Sequence, residues 1–83
     1  MDLKNNELVF QKNVSGRVKL TERTGFGFIT PDDKSFFGVK DIFFHAEKCE
    51  NVVFEDLTPG DKVSIEIVVV SPKGFQGFGI NKI

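Results

Sequence analysis

The sequence has one cysteine, one histidine, no tryptophan and no tyrosine in 83 residues. Cys49 alone makes no internal disulfide, and Cys49 with His45 falls short of the ligands a structural zinc site needs. No metal or other cofactor is therefore expected. Long apolar runs are missing too. The longest, Ile67-Val68-Val69-Val70, is strand-length, far below the ~20 residues of a membrane-spanning helix. Met1-Asp2-Leu3-Lys4-Asn5-Asn6 shows no basic region followed by an apolar one, so the expected compartment is the cytoplasm, with no membrane attachment. An excess of one charge is also lacking: 11 Lys and Arg face 12 Asp and Glu, for a net charge of −1. Strong electrostatic attachment to duplex DNA usually rests on a basic surface, and this balance argues against it.

Helix signals are nearly absent. No window sustains a 3.6-residue apolar period with caps at its ends. Short β-rich runs punctuated by Gly, Pro and Asp take their place. Val14–Thr21 alternates apolar or small residues with polar ones and predicts a first strand. Gly25–Thr30 predicts a second, Val39–His45 a third, Lys62–Val70 a fourth and Phe75–Ile83 a fifth. Pro31–Ser35, Thr58-Pro59-Gly60-Asp61 and Ser71-Pro72-Lys73-Gly74 are turn clusters. The one long connection, Ala46–Leu57, has room for a helical turn. A chain this short forms one domain. Five short antiparallel strands in it predict a small closed barrel, which removes exposed sheet edges. Residues 1–13 read as an N-terminal arm before a domain at 14–83. Within the arm, Leu8-Val9-Phe10 is apolar enough to pair with the barrel or pack on it.

Catalytic patterns are not found. No nucleophile stands beside a base in a recognisable motif. Asp32-Asp33 and Glu55-Asp56 lie in turns and read as solvated carboxylates. Gly25-Phe26-Gly27 lacks the third glycine and following helix of a dinucleotide fingerprint. The chain is not expected to be an enzyme.

What the sequence has in excess is phenylalanine, ten of them. Each buries ~150–250 Å², so a small core holds about half, and the rest need another purpose. Strand alternation assigns one. Phe26 and Phe28 are two apart and share a face, with Ile29 on the other. Phe43 and His45 share a face, with Ile42 and Phe44 on the other. If Ile29, Ile42 and Phe44 form the core, then Phe26, Phe28, Phe43 and His45 lie together outside as a flat π-surface. Gly25 and Gly27 are expected to leave that surface uncluttered. Unpaired bases stack on such a surface irrespective of sequence.

At these residues the chain resembles the cold-shock domain family. Gly25-Phe26-Gly27-Phe28-Ile29-Thr30 is similar to its first RNA-binding motif and Asp41-Ile42-Phe43-Phe44-His45 to its second. Val18-Lys19 resembles the end of the family's first strand. Phe54, Leu57 and Gly60-Asp61-Lys62-Val63-Ser64 resemble its loop and fourth strand, and Lys73-Gly74-Phe75-Gln76 its basic turn. The resemblance covers roughly residues 15–83. It implies an all-β, five-stranded antiparallel OB-type Greek-key barrel that binds single-stranded RNA or DNA. Carried over by position, the binding residues are Lys19, Phe26, Phe28, Phe43, His45, Phe54 and Lys73. The phenylalanines stack on bases, His45 stacks or donates a hydrogen bond, and the lysines meet phosphate or a base edge. Members of the family act as RNA chaperones or regulators of transcription and translation, often under cold stress.

The chain also departs from that pattern. Leu20 and Thr21 stand where the family has tryptophan and phenylalanine, Thr24 replaces the lysine before the first motif, and Ala46 replaces the aromatic after the second. The first turn is about one residue short, and the loop from Pro31 to Lys40 is about four longer and carries Phe36-Phe37. A loss of ~1–3 kcal/mol per stacking position is expected. The alternative reading is a diverged barrel whose apolar face, with Leu8–Phe10, meets a protein or a second copy of itself. The expected solution species is a monomer, with weak self-association under that alternative.

Overall fold

A computed structural model describes residues 8–33, 41–72 and 74–83. Phe36, Phe37 and Lys73 lie outside the described residues. Five strands follow in order: β1 (Leu8–Glu22), β2 (Phe26–Pro31), β3 (Ile42–His45), β4 (Lys62–Ser71) and β5 (Gly74–Lys82). They close into a barrel in the order β1-β2-β3-β5-β4. The connection from β3 to β4 holds two single 3-10 turns, Ala46–Lys48 and Phe54–Asp56. No helix among the described residues is long and apolar enough to cross a membrane.

The OB-type barrel is present, but it is not antiparallel throughout. Ile42 and Phe43 of β3 pair with Phe75 and Gln76 of β5 in the parallel sense. Counting explains the difference. A closed ring with an odd number of strands cannot alternate direction at every step, so one junction must be parallel. Here it is the short one, and the long β1–β4 and β4–β5 ladders keep the antiparallel geometry.

β1 is longer than the Val14–Thr21 alternation predicts. It begins at Leu8, which pairs with Val70, and Val9 pairs with Val69. Its first part pairs with β4 and its second with β2, so this one strand serves both sides of the barrel. Asn13 (φ 58°) and Gly79 (φ 73°) both take left-handed backbone, and the ladders set them on either side of Glu66. A Cβ on Gly79 would meet the Glu66 Cβ at 2.9 Å, so glycine is required there for space as well as for φ.

The inward alternation shifts beside this left-handed backbone. Ile65 faces the core, and the next core residue on β4 is Val68, three positions on. The same step separates Ile80 from Gly77, whose absent Cβ points at Ile65 and Ile42. The core is otherwise aliphatic: Val14, Val18, Ile29, Ile42, Leu57, Val63, Ile65, Val68 and Ile80. Phe44 is the only phenylalanine buried in it among the described residues.

Gly27 makes room for that ring. It is buried, and a Cβ there would lie 2.8 Å from the Phe44 ring and 2.8 Å from the Leu20 carbonyl oxygen. Its bare backbone therefore serves the inner face, not the outer surface that the spacing of Gly25 and Gly27 had implied. Gly25 (φ 105°) turns the chain between β1 and β2, its N–H donating to the Glu22 carbonyl at 3.0 Å. The Gly25 carbonyl then accepts from Ala46 N–H at 2.8 Å, which ties the end of β3 to the start of β2.

Candidate functional site

The β2–β3 ladder sets the site. Phe26 pairs with His45, Phe28 with Phe43 and Ile29 with Ile42. Paired residues share a face, so Phe26, Phe28, Phe43 and His45 stand on one side and Ile29, Ile42 and Phe44 on the other. The burial pattern follows this division. Ile29, Ile42 and Phe44 are fully buried, the three outer phenylalanines are half-buried, and His45 is exposed.

The outer rings touch one another. Phe26 and Phe43 are stacked, with centroids 5.6 Å apart and planes at 30°. Phe28 meets Phe43 edge-on at 5.6 Å, and Phe26 at 6.0 Å. His45 meets Phe43 edge-on at 4.9 Å. Phe43 is thus the hub of the group. Such contacts hold each ring in place before any ligand arrives, and the group stays partly exposed.

The ladders extend this surface in both directions. Leu20 of β1 pairs with Phe28, and Gln76 of β5 pairs with Phe43, so Leu20, Phe28, Phe43 and Gln76 form one row across four strands. Glu22, Phe26 and His45 form a second row. Leu20 holds the place where the resemblance expects tryptophan, and it brings apolar area there without a π-face.

A polar group bounds the surface at its other end. Lys19 Nζ donates to Asp41 Oδ2 at 2.9 Å, and Thr30 Oγ1 donates to Asp41 Oδ1 at 3.3 Å. Lys19 is therefore present at the rim, but with its charge met by a carboxylate. Its side chain is 55 % exposed, so the pair is open to exchange for another anion. Thr30 and Asp41 were legible as one further step of the alternation, two residues beyond Phe28 and two before Phe43. Gln76 was not legible, because only the β3–β5 register brings it there.

Phe54 is placed elsewhere. It is half-buried in its 3-10 turn, packs against the core, and its ring contact is with the inward Phe44 at 6.0 Å. Other cations are engaged away from the rings. Lys62 pairs with Asp32 and Lys82 with Asp61, each at 3.4 Å, and Arg17 Nη1 donates to the Gly60 carbonyl at 3.1 Å. Lys48 lies 5.2 Å from the centroid of Phe78. Cys49 is half-buried, and burial followed by the nearby Glu55 charge raises its thiol above the ordinary value of 9.0. That leaves it a poor nucleophile. Among the described residues no group of three or more His, Cys, Asp and Glu is placed to hold a metal ion.

Comparison with known proteins places this geometry in context. Residues 14–83 match the family model described as the 'Cold-shock' DNA-binding domain. The chain is 44 % identical over 55 residues to Cold shock-like protein CspC of Buchnera aphidicola, covering 65 % of this chain and 74 % of that one. With the same coverage, it is 46 % identical to Cold shock protein CspA of Rhizobium meliloti and 42 % identical to Cold shock-like protein CspE of Escherichia coli K12.

Proposed function

The chain belongs to the cold-shock domain family, a nucleic-acid-binding family, and on that premise we propose that it captures single-stranded RNA or DNA by stacking bases on Phe26, Phe28, Phe43 and His45. The observation that carries this reading is the set of ring contacts centred on Phe43, on the outer face of β2 and β3. Bases that leave a stem transiently are held open on these rings, each supplying about 1–3 kcal/mol. No fuel is needed, because captured bases shift the stem–open equilibrium by their own binding energy. That is the physical content of an RNA-chaperone role, and the same capture regulates transcription or translation where the opened stem is a control element. Lys19 exchanges Asp41 for a phosphate or a base edge, and Lys73, carried over from the family resemblance, meets another. Phe54 works from below, by packing the β3–β4 connection against Phe44. The working species is a monomer.

The test is equilibrium titration of a fluorescent heptathymidylate at low salt. Saturable binding, weakened at least tenfold in the Phe26→Ala, Phe43→Ala double variant, is the expected result. Undetectable binding by the unaltered protein, or equal binding by the folded double variant, overturns the reading.

A further inference from the structure

Two carboxylates bracket the ring surface, and they differ in one respect. Asp41, at one end, is met by Lys19 and Thr30. Glu22, at the other, sits directly opposite Phe26 in the β1–β2 ladder. It is exposed, and its side chain has no hydrogen bond or ion pair with any described residue. A fixed anion beside a surface meant for a polyanion is unfavourable to phosphate.

Paired positions on adjacent antiparallel strands have Cβ atoms about 5 Å apart and side chains on one face. A base stacked on Phe26 therefore presents its edge within reach of the Glu22 carboxylate. A carboxylate accepts hydrogen bonds and donates none. In a single strand the Watson–Crick edge of the base is free to be read. Guanine offers two parallel donors on that edge, N1–H and the N2 amine, which match the two carboxylate oxygens. Cytosine offers one, its N4 amine. Thymine and uracil flank their single N3–H with carbonyl oxygens on both sides, and these repel a carboxylate.

We infer that Glu22 is a specificity-determining residue that selects guanine, through its N1–H and N2 amine, for the base stacked on Phe26. The inference rests on the stacking reading above and adds a base preference to it. His45 stands in the same row beyond Phe26, on the far side of that base. The selected base thus lies between an acceptor on β1 and an imidazole on β3.

The experiment is a cycle between protein and ligand. Heptathymidylate carrying one central guanine is compared with the same strand carrying inosine, which lacks only the N2 amine. Both are titrated into the unaltered protein and into Glu22→Gln, whose fold is checked by its melting midpoint. Gln removes the charge and so strengthens binding to every strand, but that gain is common to both ligands and cancels in the ratio. The expected result is a guanine-over-inosine preference of about fivefold in the unaltered protein that falls towards unity in Glu22→Gln. An equal ratio in the two proteins overturns the assignment while leaving base stacking intact. Failure of the unaltered protein to bind either strand overturns both.

Discussion

Phe43 and Phe44 are consecutive residues of one strand with opposite fates. Phe43 touches Phe26, Phe28 and His45 on the outer face. Phe44 is fully buried against Gly27 and Phe54. Alternation of the strand alone separates them. The two alanine variants should therefore separate binding from folding. Phe44→Ala leaves a cavity and should cost about 3–5 kcal/mol, a large share of the stability of so small a domain. Phe43→Ala should cost about 1–2 kcal/mol from lost edge and stacked contacts. It should weaken oligonucleotide binding about five- to 150-fold. Denaturant melts and titrations on both variants check this.

Gly27→Ala should destabilise the barrel without touching the ring surface. The added methyl would meet the Leu20 carbonyl oxygen and the Phe44 ring, both at 2.8 Å. Displacing them should cost about 1–3 kcal/mol. A urea midpoint unchanged from the unaltered protein would show that the inner face has more room than these distances allow.

Much of this was legible in the sequence, for a physical reason. β2 and β3 are regular strands with one face in the core, so a period of two placed Phe26, Phe28, Phe43 and His45 correctly. The same rule said nothing useful about Ile67–Val70. There Val68 and Val69 are both fully buried, and the alternation breaks next to the left-handed backbone of Asn13 and Gly79. Left-handed backbone at an asparagine leaves no periodic trace. The parallel β3–β5 junction was implied by the closure of five strands, yet local pattern does not reveal which pair carries it. Gln76, and the inward role of Gly27, depend on that register and on a neighbour's ring.

Acid stability should depend on Asp61. Its carboxylate accepts from the Thr58 backbone N–H at 2.9 Å and faces Lys82 Nζ at 3.4 Å. The Thr58 hydrogen bond first, and Lys82 after it, hold the carboxyl below its ordinary value of 3.8. A group whose folded value is depressed binds fewer protons folded than unfolded. Its contribution is complete above the unfolded value and is lost as pH falls through the folded one. Asp61→Asn should therefore lower the melting midpoint at neutral pH and lose part of the decline below pH ~4. Parallel acid profiles for the two proteins would contradict this.

Binding should depend only weakly on salt. Lys62 and Lys82 are paired with carboxylates away from the rings, and Lys19 already faces Asp41. With about two phosphates neutralised on a single strand, the slope of log affinity against log salt should lie near −1 to −2. A much steeper slope, measured with heptathymidylate, would assign binding to charge and not to stacking.

The central claim is tested most directly by nitrogen–proton chemical-shift mapping with single-stranded heptathymidylate. The account predicts that the amide signals moving most belong to Phe26, Phe28, Phe43 and His45 and their row neighbours Leu20 and Gln76, while those around Glu66 stay in place. Shifts gathered instead at Val9 and Phe10, or no shifts at all, would contradict it.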